Sequence, residues 1–152
     1  MWRLKSQAKD GSLEGRTFDI GGLRLQVRSS IAQGGFSFVY LAKCQQTGRS
    51  YALKHIICSD PDTMPLVQRE IDVMTTLRGH PNIVSLHSSL KLDTGRCTEY
   101  FLVLEYCEKM LVTVMDTRNR THYDEKEVLL IFRDVCEAVQ VMHSQRPPIA
   151  HR

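Results

Sequence analysis

With 152 residues and 42% hydrophobic content the chain is long enough to bury one globular core, so wholesale disorder is not the default. Twenty basic residues against 17 acidic leave a net charge of +3, too mild to point to a nucleic-acid or membrane surface. Five cysteines (Cys44, Cys58, Cys97, Cys107, Cys136) are odd in number and scattered, with no C-x-x-C pair and no metal-like spacing to a histidine. They read as reduced thiols of a cytosolic protein, and no metal site is expected. Met1-Trp2-Arg3-Leu4-Lys5 carries no apolar run after its basic residues, and no segment reaches the length of a membrane span. Trp2 in place of glycine argues against myristoylation. The sequon Asn119-Arg120-Thr121 would matter only in a secreted protein.

Residues 1–18 are polar, basic and without period, and are expected to be a flexible lead-in. A strand is predicted from Leu23, where Leu23, Leu25 and Val27 alternate with Arg24, Gln26 and Arg28. In Ile31-Ala32-Gln33-Gly34-Gly35-Phe36-Ser37-Phe38-Val39-Tyr40 the glycine pair separates two strands and marks a hairpin. Gly34 and Gly35 have two explanations at this point: a tight turn, or a loop whose backbone N–H groups can approach phosphate oxygens because no Cβ intervenes. After the polar turn Gln46-Thr47-Gly48, Tyr51-Ala52-Leu53-Lys54 begins a short buried strand that ends near Ile57. Lys54 is either an ordinary solvated lysine or a phosphate-gripping one beside a small residue that leaves room for a flat ligand.

Asp60-Pro61-Asp62 supplies a strand stop and a helix start. Val67, Ile71 and Met74 recur at helical spacing and define an inward stripe that also carries Glu70. A carboxylate on such a stripe calls for a cation, with Lys54 the upstream candidate. The bland alternative is a boundary glutamate paired with Arg69 or Arg78 in solvent. Gly79-His80-Pro81-Asn82 stops the helix, and Ile83-Val84-Ser85-Leu86 is predicted to begin a strand. Asp93-Thr94-Gly95 is a turn, and Tyr100-Phe101-Leu102-Val103-Leu104 reads as a strand buried on both faces. Polarity returns at Glu105-Tyr106-Cys107-Glu108-Lys109, a plausible hinge. Asp124-Glu125 opens a last helix whose apolar positions run from Val128 to Met142 over most of its girth. Pro147-Pro148 ends it.

Taken in order, these pieces resemble the start of a eukaryotic protein kinase domain. They are the glycine loop, the Tyr-Ala-Leu-Lys strand, the helix bearing Glu70, His80-Pro81-Asn82-Ile83-Val84, the apolar strand running into Glu105-Tyr106-Cys107, and His151-Arg152. Within the kinases the chain is most similar to the Numb-associated group, which includes the adaptor-associated and cyclin-G-associated kinases, and especially to plant members. Glu14-Gly15-Arg16-Thr17, Gly34 to Tyr40, Gly79 to Val84 and Pro147 to Arg152 carry that finer likeness.

The resemblance implies an α+β fold: a kinase-like N-lobe, with a five-stranded antiparallel sheet and one αC-type helix over 19–107, then the first helices of an incomplete helical C-lobe over 108–152. It implies serine/threonine phosphoryl transfer from ATP. Ile31 and Val39 would sandwich adenine with Ala52, and Gly34 and Gly35 would lie at the phosphates. Lys54 would hold the α- and β-phosphates with Glu70 orienting it. Leu104 would close the back of the pocket, and backbone groups of Glu105 and Cys107 would bond the adenine edge. Met74, Leu86 and His151 match positions of the hydrophobic spine. Ala32 and Ser37 depart from the first and third glycines of the loop motif. The catalytic-loop aspartate would follow Arg152, and the magnesium ligands would come later, so the chain alone is expected not to catalyse transfer. Mg2+ belongs to the complete enzyme. The group implies protein substrates such as clathrin-adaptor subunits and a cytoplasmic site peripheral to endocytic membranes. The alternative is a short, non-catalytic product that binds nucleotide or a partner. A partner is also what the apolar last helix would need to escape aggregation.

Overall fold

The computed structural model describes residues 12–35, 37–111 and 124–151. The first eleven residues of the expected lead-in, Phe36, the 112–123 stretch with its sequon, and Arg152 lie outside the described residues. Two compact units make up the fold, residues 1–64 with 87–106 and residues 65–86 with 107–152.

The first unit is a six-stranded sheet in the order β1-β2-β3-β4-β6-β5. Its strands are β1 (Thr17–Ile20), β2 (Leu23–Gln33), β3 (Ser37–Cys44), β4 (Ser50–Cys58), β5 (Leu86–Asp93, whose first residue belongs to the second unit) and β6 (Thr98–Glu105). The sheet thus has one strand more than the five expected. The added strand, β1, pairs antiparallel with Leu23–Gln26. Residues 13–18, read as lead-in, are built into the unit instead, because Phe18 and Ile20 alternate with Thr17 and Asp19 and Leu13 inserts into the core at 3% exposure.

One face of the sheet holds that core. Leu25 and Val27 of β2, Tyr40, Ala42 and Cys44 of β3, Tyr51 and Leu53 of β4, and Phe101 and Val103 of β6 pack together. Gly21, at φ +58°, turns β1 into β2 directly beside Ser88 of β5, and a Cβ there would fall 2.5 Å from that serine's Cβ. The two edges of the sheet therefore approach each other around the core, and only glycine fits the contact. Of the run Tyr100–Leu104, Tyr100 to Val103 are buried on both faces, as the continuous apolar pattern predicts, and Leu104 is half-buried.

At the end of the first unit's 1–64 stretch, a 3-10 turn (Pro61–Thr63) capped by Asp60 leads from β4 into α1 (Met64–Thr76), which belongs to the second unit from Pro65 onward. Val67 is buried on α1, while Glu70, Ile71 and Met74 are half-buried. The strand expected to start at Ile83 begins at Leu86. His80 is the reason: its Nδ1 accepts from Asn82 N at 3.2 Å and its carbonyl accepts from Ile83 N at 3.2 Å, which holds this stretch in a turn. α2 (Glu125–His143) starts in a capping box, with Asp124 accepting from Glu127 N and Glu127 accepting from Asp124 N. No residue of α2 is buried, and Phe132, Leu129, Val135 and Val128 are each about half exposed or more. Asn82 Nδ2 ties the turn to α2 by donating to the Asp134 carbonyl and to Glu137 Oε2, both at 3.0 Å.

Candidate functional site

Opposite the core, the sheet presents a second set of side chains in matched register. Val39, Lys54 and Leu102 stand abreast on β3, β4 and β6, and one step along so do Leu41, Ala52 and Leu104. Because side chains alternate along a strand, Val39, Ala52, Lys54 and Leu104 share this face while Tyr40, Leu53 and Val103 point into the core. Four of the predicted site residues are thus brought together by register alone. Ala52 is the small member, flanked by Leu41 and Leu104.

Ile31 reaches the same end of the sheet by an irregularity. The β2–β3 register passes from Ser30 opposite Tyr40 to Ala32 opposite Val39, so Ile31 is the extra residue of a bulge, and its side chain is 45% exposed. Bulges re-aim a side chain at the cost of one ladder position. The loop that follows is closed by Gly34 N donating to Ser37 O at 2.7 Å.

The glycine pair is informative by what the fold does not ask of it. Neither Gly34 nor Gly35 takes the left-handed φ found at Gly15, Gly21, Gly22, Gly48, Gly79 and Gly95. A Cβ at Gly35 would meet nothing within 4 Å, and one at Gly34 would meet only the Ser37 hydroxyl closely, at 3.1 Å. A tight turn alone therefore does not require glycine at Gly35. The space beside its backbone is open, which suits the close approach of an anion to N–H groups.

Of the remaining predicted residues, Glu105 ends β6 opposite Tyr51, with its side chain exposed. Cys107 and Glu70 fall in the second unit, Cys107 exposed and Glu70 half-buried on α1, one turn from Val67. Leu86 is buried, Met74 half-buried, and His151 exposed. Among the described residues no group of three or more His, Cys, Asp or Glu could hold a metal ion.

Two polar features of the first unit escaped the sequence reading. His55, adjacent to Lys54 but on the core face, is 4% exposed; its Nε2 lies 2.8 Å from Glu99 Oε2 and its ring stacks on Phe101 at 4.5 Å. Burial lowers its pKa below the usual value; the Glu99 carboxylate opposes that shift and Arg16 adds to it. Strand alternation alone would have placed residue 55 on this face, with Tyr51 and Leu53. The second feature is Glu14, whose Oε1 accepts from Ser30 N at 2.9 Å. Nothing in the local pattern signals a bond across 16 residues.

A sheet of this topology with a glycine hairpin, a lysine strand and a following helix defines a class. A protein kinase domain family model matches residues 25–152, and the chain belongs to that family. The sheet of antiparallel strands and its accompanying helix are those of a kinase-like N-lobe, α+β in class. Similar proteins include three probable serine/threonine-protein kinases of Dictyostelium discoideum. The chain is 41% identical to one over 145 residues, 40% to another over 147 and 36% to a third over 147. The matches cover 93%, 93% and 90% of this chain but 13%, 18% and 40% of those proteins, so the chain spans well under half of each. No helix among the described residues is long and apolar enough to cross a membrane.

Proposed function

We propose that this chain is the nucleotide-binding part of an ATP-dependent protein serine/threonine kinase. Ile31, Val39 and Ala52 sandwich adenine, and Leu104 bounds the back of the site. Backbone groups of Glu105 and Cys107 bond the base edge. Gly34 and Gly35 present their N–H groups to the phosphates, while Lys54 grips the α- and β-phosphates and is oriented by Glu70. Magnesium, when bound in the complete enzyme, neutralises charge developing on the transferred phosphoryl group. The finer placement in the Numb-associated group rests on Glu14-Gly15-Arg16-Thr17, Gly34 to Tyr40, Gly79 to Val84 and Pro147 to Arg152. With it come clathrin-adaptor subunits as substrates and a cytoplasmic place beside endocytic membranes.

The observation that carries this reading is the shared face: Val39, Ala52, Lys54 and Leu104 in adjacent register, beside a loop whose Gly35 no backbone torsion demands. Titration calorimetry with Mg-ATP tests it. Saturable binding that Lys54→Met weakens at least tenfold, with the circular dichroism of the sheet unchanged, is the expected result. Binding that is absent, or indifferent to Lys54→Met, overturns it.

A further inference from the structure

The residues that precede β1 lie against β2 and end at the bulge that aims Ile31. Leu13 to Arg16 form a turn, with Arg16 N donating to Leu13 O at 3.1 Å and Gly15 at φ +78°. The turn buries Leu13 in the core at 3% exposure. It also sets Gly15 N against Val27 O at 3.0 Å and Val27 N against Arg16 O at 2.8 Å. β1 itself pairs only with Leu23–Gln26, so among the described residues no strand lies on that side of β2 from Arg28 onward, and its residues from Arg28 to Gln33 are exposed. An unpaired strand edge frays unless its N–H groups find acceptors. Glu14 supplies one: its carboxylate accepts from Ser30 N at 2.9 Å, the last register position before the extra residue Ile31. A charged acceptor makes this stronger than a neutral strand-to-strand bond.

We propose that Glu14 is a positioning residue for the nucleotide loop. It fixes the backbone of β2 at Ser30, and through it the bulge that presents Ile31 and the hairpin that carries Gly34 and Gly35. Leu13 anchors the turn and Gly15 permits it, so the carboxylate reaches the edge with its own backbone already held. This inference rests on reading the Val39–Lys54 face as the nucleotide face.

Amide hydrogen exchange and Mg-ATP binding on the full chain, in wild type, Glu14→Ala and Glu14→Gln, test it. Glu14→Ala is expected to speed exchange at Ser30 and Ala32 while Leu53 and Phe101 stay protected. It should weaken Mg-ATP binding about fivefold, the size of one hydrogen bond. Glu14→Gln keeps the side-chain oxygen and should restore both to within about twofold. A merely stabilising clamp would lower the melting temperature without moving nucleotide affinity. Unchanged exchange at Ser30, or faster exchange with wild-type affinity, overturns the proposal. Wild-type protein that binds no Mg-ATP refutes the nucleotide reading itself, and the positioning role with it; that outcome is recognised before any variant is compared.

Discussion

The sheet of the first unit and α2 of the second handle their apolar residues in opposite ways. In the first, side chains from β1, β2, β3, β4 and β6 meet in one core, and Leu25, Leu53 and Val103 are fully shielded. In the second, α2 has a complete capping box and helical periodicity, yet no buried residue. The contrast separates what makes an element from what stabilises a fold. Local signals mark where α2 begins and ends, whereas the sheet depends on non-local pairing that encloses a core.

The largest effect is expected where the core is most enclosed. Phe101 is 2% exposed and lies between His55 and Phe18, at ring distances of 4.5 and 4.9 Å. Phe101→Ala should lower unfolding free energy by about 3–5 kcal/mol in denaturant titrations. A loss comparable to that of an exposed position would break the contrast.

The same core should show a pH signature. The unfolded chain protonates residue 55 near the ordinary histidine value of 6.5, whereas burial holds the folded-state pKa lower. As pH falls below about 6.5 the unfolded state binds the extra proton first. The stability present above that pH is therefore progressively lost toward the folded pKa. Denaturation midpoints should fall between pH 7.5 and 5.5, and His55→Phe should flatten that part of the slope. Equal slopes in both proteins would rule out His55 as the source.

A smaller effect is expected from the tie within the second unit. Asn82→Ala removes the donor to the Asp134 carbonyl and Glu137 and should cost about 1–2 kcal/mol. Faster exchange in the middle of α2, around Asp134 and Glu137, would accompany it. The smallest effect belongs to the helix surface. Phe132, 64% exposed, should tolerate Phe132→Ser within about 0.5 kcal/mol, while binding of a hydrophobic dye falls. A large loss of stability there would mean that α2 contributes to a core after all.

Much of this architecture could be read from the residues, and the parts that could not share a cause. The alternation at Leu23–Val27, the apolar run at Tyr100–Val103 and the acids at Asp124-Glu125 are local patterns, and each produced the element expected. β1 was missed because two apolar residues in four are too few to outweigh a polar, basic neighbourhood. Ile83 looks like a strand start but is held by the His80 turn, through that residue's ring at Asn82 N and its carbonyl at Ile83 N, bonds that propensity does not register. At the candidate site, the common face of Val39, Ala52, Lys54 and Leu104 follows from period-two alternation once the strands are aligned. Ile31's bulge and Glu14's bond to Ser30 depend on non-local register, which no single stretch of sequence encodes.

The most direct test of the nucleotide face is methyl NMR during titration with Mg-ATP. Signals of Val39, Ala52 and Leu104 should shift together and saturably, while those of Val27, Leu53 and Val103 on the core face stay in place. Shifts confined to the core-face methyls, or none on the Val39–Leu104 side, would contradict it.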